Sequence, residues 1–259
     1  MQTIQKPKMR VFFDSWTMFK RCFRISLRNP EALTMALVTP IFLMLLFGAV
    51  FGNITDIGPY SYVDFIIPGI ILQAVGQASQ YTAININTDM TRGLIDRFRS
   101  MPITKSAFLT GHALASVLKN MITTAVIIAT AFAIGFRPQA GFGEWLIIAG
   151  ILFLSVTAIT CIAILCGLLA KTPESASGLM FPLFILPFIS SGFAPTDSMH
   201  TAIRWFAEHQ PMTPIINSIR ALMLGFPVGN ALPPALIWII GTILITFTLA
   251  VQIYKRKLS

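Results

Sequence analysis

An all-α integral membrane protein is the fold class this sequence predicts, and three observations predict it. Hydrophobic residues make up 55% of the 259 positions, and the mean hydropathy is +0.74. Several apolar runs reach about 20 residues, the length a helix needs to cross a hydrocarbon core roughly 30 Å thick. These runs are continuously apolar rather than alternating. Lipid offers no hydrogen-bond partner, so each run must satisfy its own backbone as a helix.

The first element is of a different kind. Phe12, Trp16, Phe19, Phe23 and Leu27 recur at 4-3-4-4 spacing and share one helix face, with Arg10, Arg21, Arg24 and Arg28 on the opposite side. An aromatic face backed by arginines predicts a helix lying in the membrane interface, its rings at the acyl boundary. A soluble packing helix is the competing reading. Asn29-Pro30 ends this helix and turns the chain into the membrane. Residues 1–31 are therefore set apart from 32–259.

Six transmembrane helices are predicted, over 33–52, 63–86, 107–134, 144–170, 177–194 and 232–254. The first run is long enough to span and lacks a small-residue cleavage site, so a retained anchor is expected rather than a signal peptide. In "FPLFILPFISSGFAP", Pro182, Pro187 and Pro195 predict that the fifth span is kinked or broken. The following "TAIRWFAEHQPMTPIINSIRALMLG" is too polar for a lipid-facing span and too apolar for an open loop, and Pro211 and Pro214 interrupt it. Short re-entrant helices are expected there, between spans five and six.

Charge sets the orientation. Lys6, Lys8, Arg10, Lys20, Arg21, Arg24 and Arg28 precede span one, and Arg92, Arg97, Arg99 and Lys105 lie between spans two and three. Lys171, Lys255, Arg256 and Lys257 fall on that same side, against Arg137, Arg204 and Arg220 on the other. Both termini are therefore expected in the cytoplasm, in a multi-pass protein of the cell membrane. The net charge of +9 then reflects cytoplasmic loops near anionic lipid, with no nucleic acid implied. Cys22, Cys161 and Cys166 read as small apolar fillers.

Enzymatic chemistry is not visible. The chain lacks a G-x-x-x-x-G-K-[ST] phosphate loop, an H-E-x-x-H pair, clustered Cys and His, and G-x-S-x-G. No catalytic residue, metal or cofactor of its own is expected. Two spans carry polar stripes: Gln73, Gln77, Gln80, Asn87 and Thr88 beside Tyr81 in the second, and His112, Ser116, Lys119, Thr123 and Thr130 in the third. Polar groups avoid lipid, so the stripes face protein, water or cargo. They serve either as glue between helices or, for Gln73, Gln77, Gln80, Tyr81 and Lys119, as a translocation path. Lys119 is expected to snorkel to the cytoplasm; the alternative is pairing with Asp64, Glu144 or, more readily, Glu174.

One segment concentrates charge. "RGLIDRFRSMPITKS", 92–106, lies between greasy runs and holds Arg92, Asp96, Arg97, Arg99 and Lys105. It is either a solvated turn or a surface that a partner grips.

Four blocks carry a family resemblance. They are "RNP" closing the first helix, "YVDFIIPGIILQ" opening span two, "RGLIDRFRSMPITKSAFLTGHALASVLKN", and "PESASGLMFPLFILPFISSGFAPTDSM" followed by "MTPIINSIRALMLG". In this order, over nearly the whole chain, they resemble the type-2 ATP-binding-cassette (ABC) exporter permeases, and most of all the daunorubicin-resistance-type multidrug branch. His112 stands where those permeases often carry arginine. The resemblance implies a permease homodimer driven by two copies of a separate ATPase subunit, which holds the ATP and magnesium. It implies export of a small amphipathic, drug-like substrate, with membrane lipid around it.

It also implies that the loop 90–105 forms a short coupling helix seated in a groove of the ATPase. The residues agree with that role. Leu94, Phe98 and Met101 line one side at 4-3 spacing, Arg92, Asp96 and Arg99 lie away from it, Arg97 adds charge, and Pro102 limits the helix. An aromatic anchor with an arginine rim suits docking into a cleft. Export of lipid or lipid-linked polysaccharide on the same scaffold is the alternative. A secondary transporter or channel is disfavoured by the scarcity of intramembrane carboxylates.

Overall fold

The computed structural model describes residues 7–52, 60–91 and 105–258. The described residues form nine α-helices and no strand. These are α1 (Pro7–Leu27), α2 (Pro30–Phe51), α3 (Tyr62–Thr91), α4 (Lys105–Ile134), α5 (Phe142–Leu169), α6 (Pro173–Ile185), α7 (Thr201–His209), α8 (Met212–Leu224) and α9 (Leu232–Leu258). Five of them, α2, α3, α4, α5 and α9, are long and apolar enough to cross a membrane.

The run predicted over 177–194 is shorter than a span. α6 stops at Ile185 and a 3₁₀ turn, Leu186–Ile189, follows it. Pro187 has no N–H, so the Leu183 carbonyl loses its helical partner and the helix breaks where the sequence suggested. Two short helices, α7 and α8, occupy the semi-polar segment beyond.

α3 is the mast of the fold, buried along most of its length. Its first turn is fixed by reciprocal bonds: the Ser61 N–H donates to Asp64 Oδ2 at 3.2 Å, and the Asp64 N–H to Ser61 Oγ at 3.3 Å. Small residues then let neighbouring backbones come close. A Cβ on Gly69 would stand 2.7 Å from the Gly192 backbone, and one on Gly76 would stand 2.9 Å from the Leu183 carbonyl oxygen. Such approach is how helices gain packing energy in lipid, where no hydrophobic drive separates them from the solvent. α2, α4, α5 and α6 surround this mast, and the Ile-rich face of α3 forms the main core with α5 and α8.

Arg220 on α8 locks this arrangement. Only 9% exposed, it donates from Nε to the Phe65 carbonyl at 3.0 Å, from Nη1 to Asn217 Oδ1 at 2.9 Å, and from Nη2 to the Ser191 carbonyl. Its guanidinium also lies 3.7 Å from the centre of the Phe65 ring. One side chain thereby ties α8, the 190–193 turn and α3 together. Sequence reading had counted Arg220 only as a charge on the outer side.

The long helices overrun their predicted spans at one end. α3 continues to Thr91 rather than stopping at 86, and α4 begins at Lys105. With α1 and the ends of α5 and α9, these ends of α3 and α4 build a second core, in which Met18, Cys22, Ile86, Phe108, Leu168 and Tyr254 are buried. Phe108 and Tyr254 stack at 5.4 Å. This core stands where α3 ends and α4 begins.

Candidate functional site

The junction of α1, α3 and α4 joins an arginine, an aspartate and a histidine from three helices. α1 has three stripes rather than two. Between its aromatic and arginine faces runs a narrow strip of Ser15, Met18 and Cys22, and this strip packs on α4. A Cβ on Gly111 would stand 2.5 Å from Met18 Cβ, so glycine allows the contact. Ser15 and Thr110 share a hydroxyl hydrogen bond of 2.9 Å. The aromatic stripe stays open at its start: Phe12 and Trp16 are exposed, while Phe19 and Phe23 are half-buried. Trp16, Phe19 and Phe23 stack in series at 5.0 and 5.7 Å.

Arg21 corrects the two-faced picture. Expected on the solvent-facing arginine side with Arg24 and Arg28, it lies at the edge of the packing strip and turns inward. Arg24 and Arg28 are exposed as expected. Arg21 donates from both terminal nitrogens to Asp89, at 2.8 and 3.0 Å. His112 Nε2 lies 3.1 Å from the same Oδ2; a carboxylate only accepts, so this nitrogen carries the proton. The hydrogen bond to Asp89 raises the Arg21 pKa further above its ordinary value, so the guanidinium is charged at any attainable pH. Three helices thus meet on one carboxylate, three residues before the 92–104 segment.

Asp89 was not singled out from the sequence. Its partners lie 68 and 23 positions away, and no local period joins them. The coupling set Arg92, Leu94, Asp96, Arg97, Phe98, Arg99 and Met101 lies outside the described residues.

The second-span stripe is turned toward neighbouring helices. Gln77 donates to Thr39 Oγ1 on α2 at 3.4 Å, Gln80 to Ser177 on α6, and Asn87 to the Ala170 carbonyl at 2.7 Å. Gln73 is fully buried, and neither amide atom has a hydrogen-bond partner among the described residues. In the third-span stripe, Ser116 bonds Thr82 at 2.9 Å and Thr160 at 3.2 Å.

Lys119 is held by a backbone carbonyl rather than by an acid of the described residues. It is 9% exposed and its Nζ donates to the Ala78 carbonyl at 3.0 Å. Among the described residues no carboxylate lies within 4 Å of it. The reason is depth: α1 runs beside the first part of α4, so Lys119 stands level with the start of α2 rather than deep in a span. With Tyr81, Asn29 and Leu33 it lines a small pocket. A larger cavity of about 370 Å³ adjoins it, walled by Arg21, Ser26, Thr82, Asn85, Asp89 and His112 among others. A separate apolar pocket lies between α5, α6, α8 and α9. No group of three or more His, Cys, Asp or Glu suited to a metal occurs among the described residues.

The sequence profile of the ABC-2 type transporter family matches residues 14–224. The chain is 28% identical over 235 residues to the daunorubicin resistance ABC transporter permease protein DrrB1 of Streptomyces coeruleorubidus, covering 88% of this chain and 81% of that protein. It is 29% identical over 216 residues to the probable doxorubicin resistance ABC transporter permease protein DrrC of Mycobacterium tuberculosis, covering 80% and 75%. To the inner membrane transport permease YadH of Escherichia coli it is 24% identical over 208 residues, covering 76% and 77%.

Proposed function

Because the chain belongs to the ABC-2 type transporter family, and is thus a membrane permease subunit, we propose that it exports a small amphipathic, drug-like substrate. The observation that carries this reading is the match along most of the chain to permeases named for daunorubicin and doxorubicin resistance. Permeases of this family work with an ABC ATPase. In the proposed complex two ATPase copies, holding ATP and magnesium, drive a permease homodimer in the cell membrane.

In this reading both termini are cytoplasmic. α6 with its 3₁₀ turn supplies a sixth crossing, and α7 and α8 dip back from the outer face. The 92–101 segment is the coupling helix, with Leu94, Phe98 and Met101 seated in the ATPase and Arg92, Asp96, Arg97 and Arg99 at the rim. ATP binding draws this segment with the closing ATPase dimer. Arg21 and His112 on Asp89 carry the displacement into α1 and α4, because all three helices share that carboxylate. Energy reaches the cargo only where these contacts differ between two states.

The candidate path residues are Gln73, Gln77, Gln80, Tyr81 and Lys119. Gln77 and Gln80 hold α3 to α2 and α6, so their bonds are the ones a parting of those helices would exchange for cargo.

The test uses proteoliposomes containing the chain and its ATPase. Arg97→Glu with Arg99→Glu is expected to lower drug-stimulated ATP turnover about tenfold, the scale of a docking hot spot, while the permease still inserts. Unchanged turnover would remove the docking role. Stimulation by a lipid-linked saccharide instead of an anthracycline would move the cargo to the lipid class.

A further inference from the structure

The elbow between α1 and α2 adjoins a polar cavity, one wall of which is the Arg21–Asp89–His112 contact and the rest of which the coupling reading leaves unused. Its position is set by the helices around it. α1 sheathes the first part of α4, from the Ser15–Thr110 bond to Ile25 and Ser26 beside Lys119. At a rise of 1.5 Å per residue that part of α4, Thr110 to Lys119, is about 14 Å long. Lys119 therefore stands level with Asn29, Ala32 and Leu33, where the first apolar run enters the bilayer. That is the depth of lipid headgroups.

The charge of this site is not balanced. Asp89, the one carboxylate of the described residues on the cavity wall, already accepts both nitrogens of Arg21 and the His112 ring. Lys119 has three donor positions, and among the described residues one is used, on the Ala78 carbonyl. Buried ammonium groups are costly without a counter-charge. Around it, the side chains of Ser26, Asn85 and Thr88 make no hydrogen bond among the described residues, although all three line the larger cavity. Ser26 and Asn85 also line the Lys119 pocket, so the two spaces adjoin. Every one of these groups can donate. A ligand that matches them carries one negative charge and several acceptor oxygens.

We propose that this elbow cavity binds the phosphodiester of an anionic phospholipid headgroup, with Lys119 as its counter-charge and Ser26, Asn85 and Thr88 as further donors. A phosphodiester carries a single negative charge; the cavity of about 370 Å³ accommodates it, with Lys119 reaching it from the adjoining pocket across Ser26 and Asn85. The acyl chains then lie along the exposed side of α2, where Met35, Val38 and Phe42 are uncovered. Basic side chains at the membrane surface recognise such headgroups through this same pairing. A lipid seated there braces α1 against α2 and α4.

The chain in nanodiscs of phosphatidylcholine, with or without phosphatidylglycerol, provides the test by native mass spectrometry. The wild-type chain is expected to retain phosphatidylglycerol in preference to phosphatidylcholine. Lys119→Gln should reduce the retained phosphatidylglycerol about fivefold, the contribution of one basic side chain near anionic lipid, and Lys119→Arg should restore it. Should Lys119→Gln fail to insert, Asn85→Asp places a carboxylate in the cavity with Lys119 intact and should give the same loss. Equal retention by the wild type and by whichever of these charge variants inserts would overturn the assignment. So would a stable adduct of inorganic phosphate on the wild type in phosphatidylcholine alone, which would make the site one for free phosphate. No ATPase, ATP or drug enters this experiment, so its failure and that of the transport reading are distinguishable.

Discussion

Arg220→Leu is expected to cost about 3 kcal/mol and to lower the thermal midpoint of the detergent-solubilised chain by about 10 °C. The reason is the number of groups that lose a partner at once. The Phe65 and Ser191 carbonyls and Asn217 Oδ1 all accept from this guanidinium, and leucine donates to none of them. Each buried acceptor left without a donor costs about 1–3 kcal/mol. The Phe65 ring also loses its cation. Arg220→Lys keeps the charge but cannot reach three acceptors with one ammonium, so an intermediate loss is expected. Intrinsic fluorescence on heating reads the result. A midpoint equal to that of the wild type would mean that α8 is held by its apolar contacts alone.

The second large effect falls at Asp89. Asp89→Asn removes the charge that Arg21 and His112 share, and a neutral amide cannot accept from both terminal nitrogens of Arg21 and from the ring. Charge-assisted bonds contribute about 1.5–3 kcal/mol each when buried. Arg21 is 34% exposed, which reduces its share, so a loss of about 2 kcal/mol is expected for the substitution. A double-mutant cycle with Arg21→Gln isolates the pair, with a coupling of about 1 kcal/mol expected. Strict additivity would show that the contact contributes nothing. The Arg21 side of this contact should not vary with pH. Its raised pKa means its stabilisation is complete below the ordinary arginine value and is lost only above the raised one, beyond the range a folded chain tolerates. In the transport assay, Arg21→Gln should lower drug-stimulated turnover even though it lies outside the 92–101 segment.

The features legible in the sequence were those written locally. Asn29-Pro30 set the elbow between α1 and α2, and the Asn29 side chain accepts from the Ala32 N–H at 3.1 Å. Pro187 marked where the fifth apolar run breaks. The aromatic spacing from Phe12 to Phe23 marked a helix and one of its faces. What escaped was carried by partners far apart in the chain. Asp89 gave no sign of meeting Arg21, and Arg220 gave none of reaching Phe65 and Ser191.

The partner of Lys119 was hidden for a related reason. The 107–134 run is long and apolar enough to span, yet an apolar stretch packed under α1 looks the same in sequence as one facing lipid, so the sequence alone does not say which neighbour Lys119 meets. Gln77 and Gln80 show the opposite case, since a polar stripe on an apolar helix is visible locally while the helix it bonds to is not.

Drug uptake into inside-out proteoliposomes tests the central claim most directly. Vesicles holding this chain alone, or the chain with its ATPase but without ATP, are predicted to accumulate no more daunorubicin than empty ones, and accumulation should begin when ATP is added to the complete complex. Accumulation by the chain alone, driven by no nucleotide, would contradict the account.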